Sequence, residues 1–431
     1  MAMTSLPEPL RKFGPITLAA GGTPAQIFVF IAVVVCAVCM LNTIPLMKVY
    51  VFGELMGIPK AEQGRLTGNL ATIQQVAVLI FISLAGVLAD RWGRRAVLMM
   101  AMVGYVLCLS LYPLATGIPM LFALHFLLGV SSTGHTAGGG TLMADYPHNS
   151  SRGKFIGMML VLQALASAVL VSWLGARIPG WLTASGMPPA LAGRYAFWAL
   201  AMLGVLGIAI ALLWFKEPLR QARPPSGGLL ATLRSTRADF GRLWAYAQTN
   251  PRFALVMTMG CVIRSDYVVI GAFLSLWVMH GATAQGLPAG EALKTAGLLT
   301  ATLQIAAVAS PALIGVLADR VDRTVMLVVS LAATGLALCS TALISDVLGP
   351  WIFVVVALIG VTEYGLIIAA QSVFGEQAPP DLRGSGQGLF ALFGTLSVVL
   401  VSWISGVVYD QVSRVAPFVM VGLLNLSFAL R

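Results

Sequence analysis

Charge is sparse in this 431-residue sequence: Asp, Glu, Lys and Arg together make up 10% of it, against about 25% in soluble proteins. Acidic residues number 16 and histidines four. So little charge cannot coat a water-soluble protein of this length, which excludes a soluble enzyme. Neither HExxH nor GxSxG occurs, and no two adjacent apolar runs each carry an aspartate, so an intramembrane protease or lipid transferase is not expected. The chain is therefore read as a non-enzyme without a cofactor. The five cysteines all lie inside apolar runs, which argues for buried thiols rather than a disulfide framework or a metal site. Gly384-x-Gly386-x-Gly388 follows no strand and is not read as a phosphate loop.

What the chain has is apolar length. Hydrophobic residues make up 58% and the mean hydropathy is +0.90, enough for roughly twelve spans of ~20 residues. The runs fall at 26–47, 66–89, 96–116, 119–144, 154–176, 196–215, 253–280, 295–318, 325–345, 351–374, 385–409 and 415–430. The first is too long for the apolar core of a cleaved signal, and the last is short enough to suggest a trimmed C-terminus. Most Lys and Arg fall on the side of both termini, with Lys48 placed just beyond the outer end of the first span. By the positive-inside rule both termini are cytoplasmic and the protein is a multi-pass protein of the cell (inner) membrane. The net charge of +10 is thus topological, and membrane lipid rather than nucleic acid is the expected surroundings. The expected organisation is a tail (1–25), six helices (26–215), a basic linker with a helical stretch from Leu229 to Gln248 (216–252), and six more helices (253–431).

The halves repeat. Gly86-Val-Leu-Ala-Asp90-Arg91-Trp-Gly93-Arg94-Arg95 follows the second span, and Gly315-Val-Leu-Ala-Asp319-Arg320-Val-Asp322-Arg323 follows the eighth. Asp145 precedes Arg152 by seven residues after span four, as Glu376 precedes Arg383 after span ten. Two motifs recurring at nearly one offset mean a duplicated six-helix unit. The first motif resembles the loop between helices 2 and 3 of the major facilitator superfamily. That resemblance implies an all-α fold of twelve transmembrane helices in two pseudo-symmetric bundles, acting by alternating access as a monomer. It also implies that Asp90 meets the start of helix 11 at Arg383 when the cytoplasmic side closes, with Asp319 facing helix 5 at Arg152. Gly86 and Gly93 are expected to permit close helix approach, and Asp90 to favour an opposing helix N-terminus. The alternative is that these charges only anchor topology.

Charge deep in a membrane is costly and marks candidate sites. Span seven carries Arg264, Asp266 and Tyr267; span ten Glu363 and Tyr364; span four His125 and His135; span one Asn42. The resemblance makes spans 1, 4, 7 and 10 cavity helices. Counting 11 residues from the cytoplasmic ends puts Arg264 and Glu363 ~16 Å deep, with His135 opposite. In one reading Arg264, helped by Tyr267, His135, Asn42 and Tyr364, receives an anionic group of a small-molecule substrate while Glu363 or Asp266 exchanges a proton. In the other Arg264 pairs permanently with an acid and ties helices together. Gly134-x-x-x-Gly138 suits helix packing. Helix 5 lacks the Gly-Pro of drug antiporters, which favours proton-coupled movement of an anionic or zwitterionic solute over efflux of amphipathic compounds.

Overall fold

A computed structural model describes residues 12–19, 23–216, 229–318, 321–379 and 382–430. Eleven of its helices are long and apolar enough to cross a membrane, and a twelfth is shorter. In chain order they are α1 (Pro24–Leu55), α2 (Lys60–Trp92), α3 (Arg94–Leu114), α4 (Ile118–Asp145), α5 (Arg152–Ala184), α6 (Pro189–Trp214), α7 (Pro251–Ala284), α8 (Ala289–Ala318), α9 (Arg323–Leu343), α10 (Trp351–Gln377), α11 (Arg383–Gln411) and α12 (Ala416–Ala429). A linker helix, Leu229–Thr249, runs between α6 and α7. The linker marks one side of the molecule, the linker side; the other is the opposite side.

Local chemistry sets several boundaries. Thr23 and Gln26 form a reciprocal capping box at the start of α1. Gly93 breaks α2 from α3 in a single residue at φ 94°, a conformation that needs glycine. Nothing lies within 4 Å of a Cβ at Gly86, so Gly86 does not act here through close packing as expected. In the second copy Asp322 replaces the glycine by capping α9, accepting from Thr324 and Val325 N–H at 2.8 and 3.3 Å. Gly134 and Gly138 do pack closely, against α3: a Cβ at Gly138 would lie 2.6 Å from the Arg94 carbonyl oxygen.

The duplication is visible as matching ion pairs. Arg94 of α3 pairs with Asp145 of α4, and Arg323 of α9 with Glu376 of α10 at 3.4 Å. Asp319 and Arg320, the rest of the second copy, lie outside the described residues, as does the side chain of Arg383.

The two bundles meet along α2–α11 and α5–α8. Gly68 sits so close to α11 that a Cβ there would lie 2.4 Å from the Ser402 carbonyl oxygen, and one at Gly297 of α8 would lie 2.1 Å from that of Ser172. Polar contacts seal the opposite side. The Asp410 carboxylate, at the end of α11, accepts from the Gly64 and Arg65 N–H groups of the first turns of α2 at 3.0 and 2.7 Å. His280 of α7 bonds Gln63 of α2 at 2.8 Å and Tyr409 of α11 at 3.0 Å. The Ser275 hydroxyl donates to the Pro45 carbonyl, and Lys60 donates to Thr283.

One boundary differs from the sequence reading. Lys48 is not in a loop: α1 continues for seven residues past it, ending in a π-helical turn at Val51–Leu55, and Lys48 is buried. Apolar residues flank it on both sides, so the helix has no reason to stop at a single charge. Cys36 and Cys39, a CxxC spacing within α1, are both free thiols.

Candidate functional site

α7 presents two chemically different faces. Arg264, Tyr267 and Gly271 form an accessible stripe at i, i+3, i+7 spacing, and above Gly271 every residue from Ala272 to Ala282 is buried. The stripe faces Gly394 of α11 and Glu363 of α10 and stops short of the sealed opposite side, and the accessible space beside it is the cleft. Arg264 lies 13 residues into α7 and Glu363 lies 14 residues from the end of α10, so both are ~20 Å from the linker-side helix ends. The two residues share a level, as the sequence spacing predicts.

Arg264 makes no hydrogen bond or ion pair among the described residues; its stem passes beside Gly394 of α11, where a Cβ would touch its Cδ at 3.0 Å. The permanent tether to Asp266 or Glu363 is therefore not formed. Tyr267, 50% exposed, has Arg264 and Glu363 as its electrostatic neighbours, and Tyr364 lies beside Tyr267 and Glu363. A half-exposed ring among these groups is what a narrow, water-accessible cleft produces.

The other face of α7 buries Asp266. Asn425 of α12 donates to Asp266 Oδ2 at 2.7 Å and to the Val421 carbonyl at 2.9 Å. Asp266 is also the charged neighbour of Glu363. Both carboxyls are buried, and Asp266 Oδ1 and both Glu363 oxygens have no hydrogen-bond partner.

The histidines of α4 each meet a tyrosine of α3. His135 starts a π-helical turn and its ring lies 6.2 Å from that of Tyr105 in α3, while His125 bonds the Tyr112 hydroxyl at 3.2 Å. Asn42 donates to Ser167 of α5 at 2.9 Å.

The motif charges lie on the linker side. Asp90 and Arg91 are exposed at the end of α2. Arg95 donates to the Ala211 and Leu212 carbonyls at the end of α6, and Arg152 to the Ala144 carbonyl of α4, both at helix C-termini where cations are favoured. At the start of α11 the Ser385 hydroxyl donates to Asp239 of the linker helix at 2.6 Å. Sequence reasoning missed Asn425, Ser167, Gln304, His280 and Asp410. The first three carry no charge, so the cost of burying charge does not single them out; the last two gain meaning only from the partner bundle.

A family model described as Major Facilitator Superfamily matches residues 29–293 and 282–430. The magnetosome protein MamH of Paramagnetospirillum magneticum (strain ATCC 700264 / AMB-1) is 24% identical over 88% of this chain and 85% of its own length. The sialic acid transporter NanX of Escherichia coli (strain K12) is 23% identical over 78% of this chain and 77% of its own. The crystal structure of the nucleoside transporter NupG superposes with a TM-score of 0.70 at 14% identity, covering 95% of this chain and 98% of that one; this likeness is one of fold. With the family model spanning both bundles and the duplicated loop in place, the chain belongs to the major facilitator superfamily.

Proposed function

We propose that this chain is a monomeric secondary transporter of a small organic anion, driven by protons, in the cell (inner) membrane with cytoplasmic termini. The observation that carries the reading is Arg264, a guanidinium facing the cleft at mid-depth with no ion pair among the described residues. A lone cation at that depth is expensive, and a carboxylate entering the cleft offsets it through a planar two-point contact. The relation to NanX, whose name gives an acid as its substrate, supports an anionic solute.

The coupling reading rests on the carboxyl pair. Two buried carboxylates side by side, with three oxygens lacking any partner, repel each other in a low dielectric. A proton held between them removes one charge. Asp266 already accepts a bond from Asn425, so Glu363, which has none, is the proton carrier in this proposal. Tyr267 has both Arg264 and Glu363 as electrostatic neighbours and Tyr364 lies beside Glu363, so solute arrival and proton transfer act on one another through the field that these groups share.

Reconstitution into liposomes with an imposed pH gradient tests this. Glu363→Gln should abolish gradient-driven accumulation of a carboxylate solute while sparing its exchange. Loss of both activities would reassign Glu363 to binding or folding, and normal accumulation would remove it from coupling.

A further inference from the structure

A second polar group stands at the level of Arg264 and contains no charge. Ser167 Oγ of α5 accepts from Asn42 Nδ2 of α1 at 2.9 Å and from Gln304 Nε2 of α8 at 3.3 Å. This three-way contact joins the bundles. Ser167 lies 15 residues into α5, and Gln304 lies 14 residues from the end of α8, which puts both ~21–22 Å from the linker-side helix ends. Gln163 is one turn nearer the linker side and shares the Ser167 face. α5 departs from α-helical geometry at this point, with a π-helical stretch over Ser167–Leu174, a feature frequent at functional sites.

Two buried amide atoms here are unsatisfied: Gln163 Nε2, a donor, and Gln304 Oε1, an acceptor. Buried amides without partners are rare and need an explanation. They stand on α5 and α8, whose contact joins the bundles, at the level of Arg264 on α7 and Glu363 on α10.

We infer that Gln163 and Gln304 form a subsite for the uncharged polar end of the solute, which makes the transported class hydroxylated organic acids rather than plain carboxylates. The carboxylate goes to Arg264; a hydroxyl accepts from Gln163 Nε2, and a hydroxyl donates to Gln304 Oε1. A site that offers both a donor and an acceptor discriminates by what it leaves unpaired: a deoxygenated acid of the same length strands both amides. The inference rests on the anion reading of Arg264 and is separable from it by experiment.

The test uses three matched pairs of acids, threonate with butyrate, gluconate with hexanoate, and glucarate with adipate, whose members differ in their hydroxyl groups. Ligand-dependent melting of the purified, full-length protein gives an apparent affinity for each. At least one hydroxylated acid should bind roughly tenfold or more tightly than its plain partner. Gln163→Leu and Gln304→Leu should each shrink that ratio several-fold. Arg264→Lys should weaken both members of the pair and preserve their ratio. If a leucine variant lacks an unliganded melting transition, the asparagine substitution, one methylene shorter, replaces it and should also shrink the ratio. Equal binding of both members, or a ratio that survives these substitutions, overturns the subsite while leaving the Arg264 anchor standing. Absence of binding by all six acids overturns both.

Discussion

Replacing Asp410 with asparagine should release the seal on the opposite side. Asp410 ends α11, where its charge opposes the dipole of its own helix, yet the same carboxylate takes two N–H groups from the start of α2, Gly64 at 3.0 Å and Arg65 at 2.7 Å. Hydrogen bonds to a charged group contribute about 1.5–3 kcal/mol each when buried. Asp410 is half-buried, so together they are worth about 1–2 kcal/mol after screening, a factor of roughly 5–30 in a two-state equilibrium. The asparagine keeps one acceptor and loses the charge. The readout is the maleimide labelling rate of Ser172→Cys, a buried position on α5 whose backbone touches Gly297 of α8, in a background lacking the five native cysteines. Labelling should quicken by about that factor. Gly64→Ala, which would place a Cβ 2.2 Å from Asp410 Oδ1, should act in the same direction, and the double variant should fall well short of the product of the two effects because they break one contact. An unchanged labelling rate in Asp410→Asn would refute the seal.

Other outcomes follow from single contacts. Arg264→Lys should fold with an unliganded melting temperature close to that of the parent, yet lose at least tenfold in carboxylate affinity by ligand-dependent melting, since an ammonium cannot form the planar fork. Gly138→Ala should lower stability by about 1–3 kcal/mol, because its Cβ meets backbone at 2.6 and 2.8 Å, while Gly86→Ala, facing open space, should be neutral or stabilising in the same thermal or chemical melts. The Asp322 carboxylate is held below its ordinary range by the Thr324 and Val325 N–H groups. A lowered folded-state value means that its stabilisation is fully present above the ordinary Asp value of about 3.9 and is lost as pH falls through the lowered one. The melting-temperature gap between parent and Asp322→Ala should therefore be constant from pH 7 to 5 and close below about pH 4.

The spans, their order and the duplication were legible because each depends on short-range sequence. A run of ~20 apolar residues crosses a bilayer whatever its neighbours do, and Asp90/Asp319 with Asp145/Glu376 keep their offsets in the chain. Arg264 and Glu363 were legible as a level, since depth along a helix is a count of residues. Direction around the helix was not. Asp266 and Arg264 are two residues apart, yet one faces Asn425 inside the bundle and the other the cleft. The Tyr105 ring that neighbours His135 at 6.2 Å comes from α3, a contact that depth along α4 alone does not give.

Composition, the lengths of the apolar runs and the recurring motifs thus determined by themselves that this is a membrane protein with a duplicated six-helix unit and charges near mid-depth. Only the tertiary structure decided which of those charges share a cleft. It also decided that Asp410 has the α2 N-terminus to hold, and that neutral Gln163, Ser167 and Gln304 stand level with Arg264. The reason is that burial in lipid is a property of each segment alone, whereas a hydrogen bond between helices hundreds of residues apart exists only once packing has set their rotation and register.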